Sequence, residues 1–110
     1  MSNLNRIEQL LKFVDEEPDN PFNLYALALE YQNIDKEKAI FYFGKLLNEH
    51  ESYIPTYYHA ASFYTELGLL PQAKQVYEKG IQLAKDQNAA HALKELKNAY
   101  QNFLVEQDID

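Results

Sequence analysis

Cysteine is absent from this sequence of 110 residues. That excludes disulfide frameworks, thiol catalysis and cysteine-held metals. Glycine and proline are scarce, at three and four residues, too few for a collagen-like or low-complexity chain. Bases are also few: ten Lys and Arg stand against seventeen Asp and Glu, a formal charge of −7. An acidic chain without an evident Lys/Arg stripe starts badly against a phosphate backbone, so no nucleic-acid partner is expected. No run approaches the roughly 18 apolar residues of a membrane helix, so no membrane role is expected either. The opening Met1-Ser2-Asn3-Leu4-Asn5-Arg6 has no apolar signal stretch, and the expected location is cytoplasmic. The balance, 46% apolar and 25% charged, is ordinary for one folded domain, taken here as residues 1–110.

What is present is helical periodicity. Leu4, Ile7, Leu10, Leu11 and Val14 recur at steps of three and four. So do Leu24, Leu27, Ala28 and Tyr31, and later Leu93, Leu96, Tyr100, Phe103 and Leu104. Each set falls on one helical stripe. No β-branched segment alternates with period two, so no sheet is expected. Punctuation divides the chain into about six helices, at 3–16, 21–33, 36–50, 54–67, 71–86 and 88–106. Asn20 and Asp35 are N-cap residues, and Pro21, Pro55 and Pro71 sit in first turns, where a missing N–H costs nothing. Gly68 is suited to the left-handed end of the fourth helix. Gln107-Asp108-Ile109-Asp110 is expected to fray. Short connectors imply antiparallel neighbours.

The sequence also repeats itself. A shift of 33 lays Leu24, Leu27, Ala28 and Tyr31 on Tyr57, Ala60, Ala61 and Tyr64. Past the turn the shift is 34, and Ala39, Phe43 and Leu47 meet Ala73, Tyr77 and Ile81. These residues resemble the tetratricopeptide repeat, a helix–turn–helix unit of about 34 residues. Small residues stand where helices cross closely and large ones where gaps need filling. Gly80 stands where the family usually has Ala, again a position of close approach. The chain departs from the pattern in places. Glu51 and Lys85 replace the closing Pro, the first turn is shortened, and Phe13 is large where a small residue is usual. The last helix matches only at a shift of 32, through Ala89, Ala92-Leu93 and Leu96.

The resemblance implies an all-α fold: antiparallel helix–turn–helix repeats stacked as a short right-handed solenoid of about six helices. A half repeat at 3–20 is followed by full repeats at 21–53 and 54–87 and a capping helix at 88–106. Arg6, Glu8, Gln9 and Lys12 at one end, and Lys94, Glu95, Lys97 and Asn98 at the other, would solvate the outer faces.

Catalytic signatures are missing. His50, His59 and His91 include no pair four apart, and His50-Glu51 lacks the second His of a zinc-protease helix because Ile54 stands there. Ser2, Ser52 and Ser62 have no nucleophile-elbow setting, and Gly44, Gly68 and Gly80 are isolated, so no phosphate loop exists. Glu16-Glu17-Asp19 reads as solvated surface. No catalytic residue, metal or cofactor is expected.

Aromatics are plentiful: nine Tyr and six Phe, 14% of the chain. Most belong to packing. Tyr31, Phe43, Tyr64 and Tyr77 occupy the family's packing places, and Phe41, Tyr42, Tyr57 and Phe63 are expected to fill the stack. In the family the first helix of each repeat lines a concave groove. That implies partner-binding roles for Phe22, Tyr25, Leu29 and Gln32 in one repeat and Tyr58, Ser62, Thr65 and Glu66 in the next, with Ala92 and Leu96 adding a third wall. Glu30 and Glu66 would lend selectivity. One family variant clamps a C-terminal carboxylate with Lys, Arg and Asn. Tyr25, Leu29, Tyr58 and His59 stand here instead, which disfavours that ligand. The expected function is a non-catalytic interaction module that binds a peptide or partner helix in an apolar, acidic groove. The alternative is a homo-oligomeric structural protein using the same strip as a dimer interface.

Overall fold

The computed structural model describes residues 3–108. Ser2, and the Ile109-Asp110 end of the tail, lie outside the described residues. Six α-helices follow one another with no strand among the described residues: α1 (Asn3–Glu16), α2 (Pro21–Tyr31), α3 (Lys36–Glu49), α4 (Pro55–Glu66), α5 (Leu70–Asp86) and α6 (Ala90–Glu106).

The helix ends follow from local chemistry. Asn20 Oδ1 accepts from the Phe22 amide at 3.1 Å, and Asp35 Oδ1 from the Lys38 amide at 3.2 Å. Each satisfies a donor that a helix start leaves open. Gly68 ends α4 with φ +79°, a conformation that costs glycine nothing. Two expected boundaries move by two residues, and four others by one. α2 stops at Tyr31, with Gln32 as its C-cap. α6 begins at Ala90 rather than at 88, because Asn88 takes φ +56° and breaks the right-handed path.

The helices form two compact units that divide after Thr56. In the first, α1 packs on α2 and α2 on α3. Its core holds Ile7, Leu10, Leu24, Leu27, Ala28, Tyr31, Ala39, Phe43 and Leu46. Arg6 Nε donates to Glu30 Oε2 at 3.0 Å, joining α1 to α2. Phe41 departs from expectation. It is 60% exposed and meets the ring of half-buried Tyr42 edge-on at 5.0 Å. Phe13 is exposed as well, so its size puts no strain on packing.

In the second unit α5 packs on α6, and Tyr57, Ala60, Ala61, Phe63, Tyr64, Ala73, Tyr77, Gly80, Leu96 and Phe103 are buried. Gly80 sits against Tyr57. A Cβ placed on it would lie 2.7 Å from Tyr57 Cβ and 3.3 Å from Leu96 Cδ1. The close approach read from the repeat pattern is therefore tight enough to exclude even the Ala of the family pattern without movement. Tyr77, Tyr100 and Phe103 form a ring cluster, with Tyr77 5.5 Å from Tyr100 and 5.4 Å from Phe103.

Candidate functional site

On α2, Phe22, Tyr25, Leu29 and Gln32 recur at steps of three and four, one step off the buried stripe of Leu24, Leu27, Ala28 and Tyr31. Phe22 is 53% exposed, and the other three are half-buried. Tyr25 lies edge-on to Tyr53, with ring centroids 5.8 Å apart. Burial, and secondarily the neighbouring Tyr53, pushes its hydroxyl pKa upward. The Glu30 carboxylate pairs with Arg6 through Oε2 at 3.0 Å.

On α4 the four expected residues line one cleft of about 340 Å³. Tyr58 is 42% exposed, Ser62 and Glu66 are exposed, and Thr65 is half-buried. Thr65 Oγ1 donates to the Ala61 carbonyl at 2.8 Å, so its hydroxyl is turned back onto its own helix. Buried Tyr77 also lines the cleft. Its hydroxyl pKa is raised by burial first, then by Tyr58 and Glu106. Beside Tyr58, the His59 ring lies edge-on at 5.4 Å.

The opposite wall belongs to α6, but not at the residues expected. Leu96 is only 1% exposed and belongs to the core beside Gly80. Ala99, Asn102, Phe103 and Glu106 form the wall instead. Their spacing of three, four and seven was a visible helical stripe. The weak likeness of α6 to α4, offset by 32 residues, points instead to Ala92 and Leu96 and obscures that stripe. The last helix flanks Tyr58 without covering it, and the cleft stays open.

The groups gathered in the cleft are those of a recognition surface. Exposed aromatic surface, a serine hydroxyl, an asparagine amide and two carboxylates share one concavity. Among the described residues no group of three His, Cys, Asp or Glu is placed to hold a metal ion. No described helix is long and apolar enough to cross a membrane.

No family model and no curated protein matches the sequence. Solved structures do. The solution NMR structure of a tetratricopeptide repeat domain protein from Salinibacter ruber is 32% identical, with a TM-score of 0.73 over 79% of this chain and 89% of that one. A crystal structure of a tetratricopeptide repeat domain protein from the same organism is also 32% identical, with a TM-score of 0.70 over 76% of this chain and 94% of that one. The chain belongs to the tetratricopeptide repeat family. Its Ala60-Ala61, Ala73 and Gly80 are then the small crossing residues of such a repeat, and all four are buried. Membership places the chain among protein-interaction modules in general, with proteins as the expected class of partner.

Proposed function

We propose that this tetratricopeptide repeat protein is a non-catalytic adaptor that holds a peptide or partner helix against the first helices of its repeats. Phe22, Tyr25, Leu29 and Gln32 are the proposed contact residues of α2, and Tyr58, Ser62, Thr65 and Glu66 those of α4. The observation that carries the reading is the open cleft of about 340 Å³ that gathers all four α4 residues with Tyr58 exposed in it. An exposed tyrosine beside polar groups is the kind of surface that anchors a partner, because it contributes large contact area with few rotamers to freeze.

The test compares wild type with the double variant Tyr25→Ala, Tyr58→Ala in affinity capture from the source lysate. Circular dichroism and thermal melting are run beside it. A partner retained by wild type alone, with helicity kept, supports the reading. Loss of helicity would instead make these residues structural. A mass that grows with concentration in light scattering, and falls back in the double variant, would transfer the same residues to a homodimer interface.

A further inference from the structure

We propose that the cleft of the second unit receives an arginine side chain of the bound segment, with its guanidinium over the Tyr58 ring and between the carboxylates of Glu66 and Glu106. This rests on the groove reading above and adds the chemistry of one anchor.

The acids of this chain provide the contrast. Glu30 is held by Arg6, Glu49 by Lys45, Glu78 by the Tyr100 hydroxyl, and Asp86 by the Gln82 amide. Glu95 lies 3.4 Å from His91 Nε2. Other acids, Glu8, Glu16 and Glu37 among them, have no such partner, and what distinguishes Glu66 and Glu106 is that they share a cleft with an exposed aromatic ring. They line the same cleft, and among the described residues no Lys or Arg lines it with them and neither makes a hydrogen bond or ion pair, although the Glu106 charge acts on the Tyr77 hydroxyl. Two carboxylates thus flank one concavity with no Lys or Arg counter-ion among the described residues that line it. A chain of net charge −7 steers a cation toward such a place and an anion away from it. Tyr58 supplies an exposed ring whose face attracts a cation. Ser62 Oγ and Asn102 Oδ1 add neutral acceptors on either wall.

Arginine fits better than lysine. Its planar guanidinium stacks on an aromatic ring while its edge donors fork toward carboxylates, and it is less strongly hydrated than an ammonium. A volume of about 340 Å³ lies at the small end of ligand pockets, enough for one long side chain.

The experiment is an amide NMR titration of the full chain with short capped peptides Ala-Leu-Xaa-Leu-Ala, where Xaa is arginine, citrulline, lysine or glutamate. Citrulline keeps the shape of arginine and removes its charge. The arginine peptide should shift the amides of Tyr58, Ser62, Asn102 and Glu106. Its affinity should exceed that of citrulline by about tenfold or more, the scale of a charge-assisted contact. The preference should fade with added salt. It should vanish in the double variant Glu66→Gln, Glu106→Gln, whose substitutions are at exposed positions and leave helicity unchanged. Equal binding of arginine and citrulline overturns the inference but leaves the groove reading standing. Lysine binding as well as arginine overturns the choice of guanidinium. If no peptide perturbs the cleft, and the Tyr25/Tyr58 double variant captures the same partner as wild type, both readings fall together.

Discussion

Tyr57 and Gly80 approach so closely that a Cβ on Gly80 would lie 2.7 Å from Tyr57 Cβ and 3.0 Å from its Cγ. Two opposing effects decide what Gly80→Ala does. Alanine gains about 1 kcal/mol of helix propensity in mid-helix. Overpacking a close crossing costs about 1–3 kcal/mol. Here the shortest clash is with Tyr57 Cβ, which the backbone fixes and no rotamer change moves. The crossing term wins, and Gly80→Ala should lower the melting temperature. Truncating Leu96 relieves only the 3.3 Å contact and should not rescue the variant. An unchanged or higher melting temperature would show that α4 and α5 separate at little cost.

That crossing was legible in the sequence because small residues recur at repeat spacing, and Ala60, Ala61, Ala73 and Gly80 are all buried. Helix starts at Pro21 and Lys36 were legible too, since Asn20 and Asp35 cap them through their own side chains. Phe41 was not. It stands in the run Phe41-Tyr42-Phe43, where three adjacent aromatics mask the helical period, and only Phe43 shares the buried stripe of Ala39 and Leu46. The site divided similarly. The α4 wall could be read from a clear repeat. The α6 wall could not, because the left-handed Asn88 resets where that helix begins.

Alkaline pH should destabilise the second unit through Tyr100. Its hydroxyl donates to Glu78 Oε2 at 2.7 Å. Burial, then that hydrogen bond and the carboxylate's charge, push its pKa up to about 12. The unfolded tyrosine ionises near its ordinary value of about 10. The folded form therefore keeps a proton that the unfolded chain loses, and stability present below about pH 10 is lost as pH rises toward 12. Tyr25, Tyr42, Tyr53, Tyr64 and Tyr77 shift the same way by burial. In urea titrations over this range Tyr100→Phe should decline less steeply than wild type. Parallel declines would remove Tyr100 from the account.

Acid should act through His59. Burial lowers its pKa, and the nearby Glu95 charge only partly opposes that. A folded-state value below the unfolded one, about 6.5, means the unfolded chain binds the proton first. The contribution of neutral His59 is present above about pH 6.5 and is lost as pH falls below it. Glu95→Gln removes the opposing charge and should steepen the loss. A histidine NMR titration measures the shift directly, and a His59 midpoint at or above the ordinary histidine value would contradict it.

Thr56 should prove better replaced by valine. It is fully buried in the first turn of α4, and its Oγ1 has no hydrogen-bond partner. An unpaired hydroxyl taken out of water costs roughly 1–3 kcal/mol. Valine keeps the branched shape and puts a methyl group where the hydroxyl was. Helix propensity barely differs between the two. The position lies at a helix start, so a hydroxyl capping an open amide would argue for threonine, but Oγ1 accepts no such bond. The desolvation term is therefore unopposed, and Thr56→Val should raise stability by about 1 kcal/mol in urea unfolding. Thr56→Ala separates chemistry from shape: it removes the same hydroxyl but leaves a void, and should fall below valine. Thr56→Ser keeps the hydroxyl, loses the methyl, and should be the least stable of the four. If valine instead destabilised the chain while serine was tolerated, the hydroxyl would have a partner, and the orphaned oxygen would not be the source of the cost.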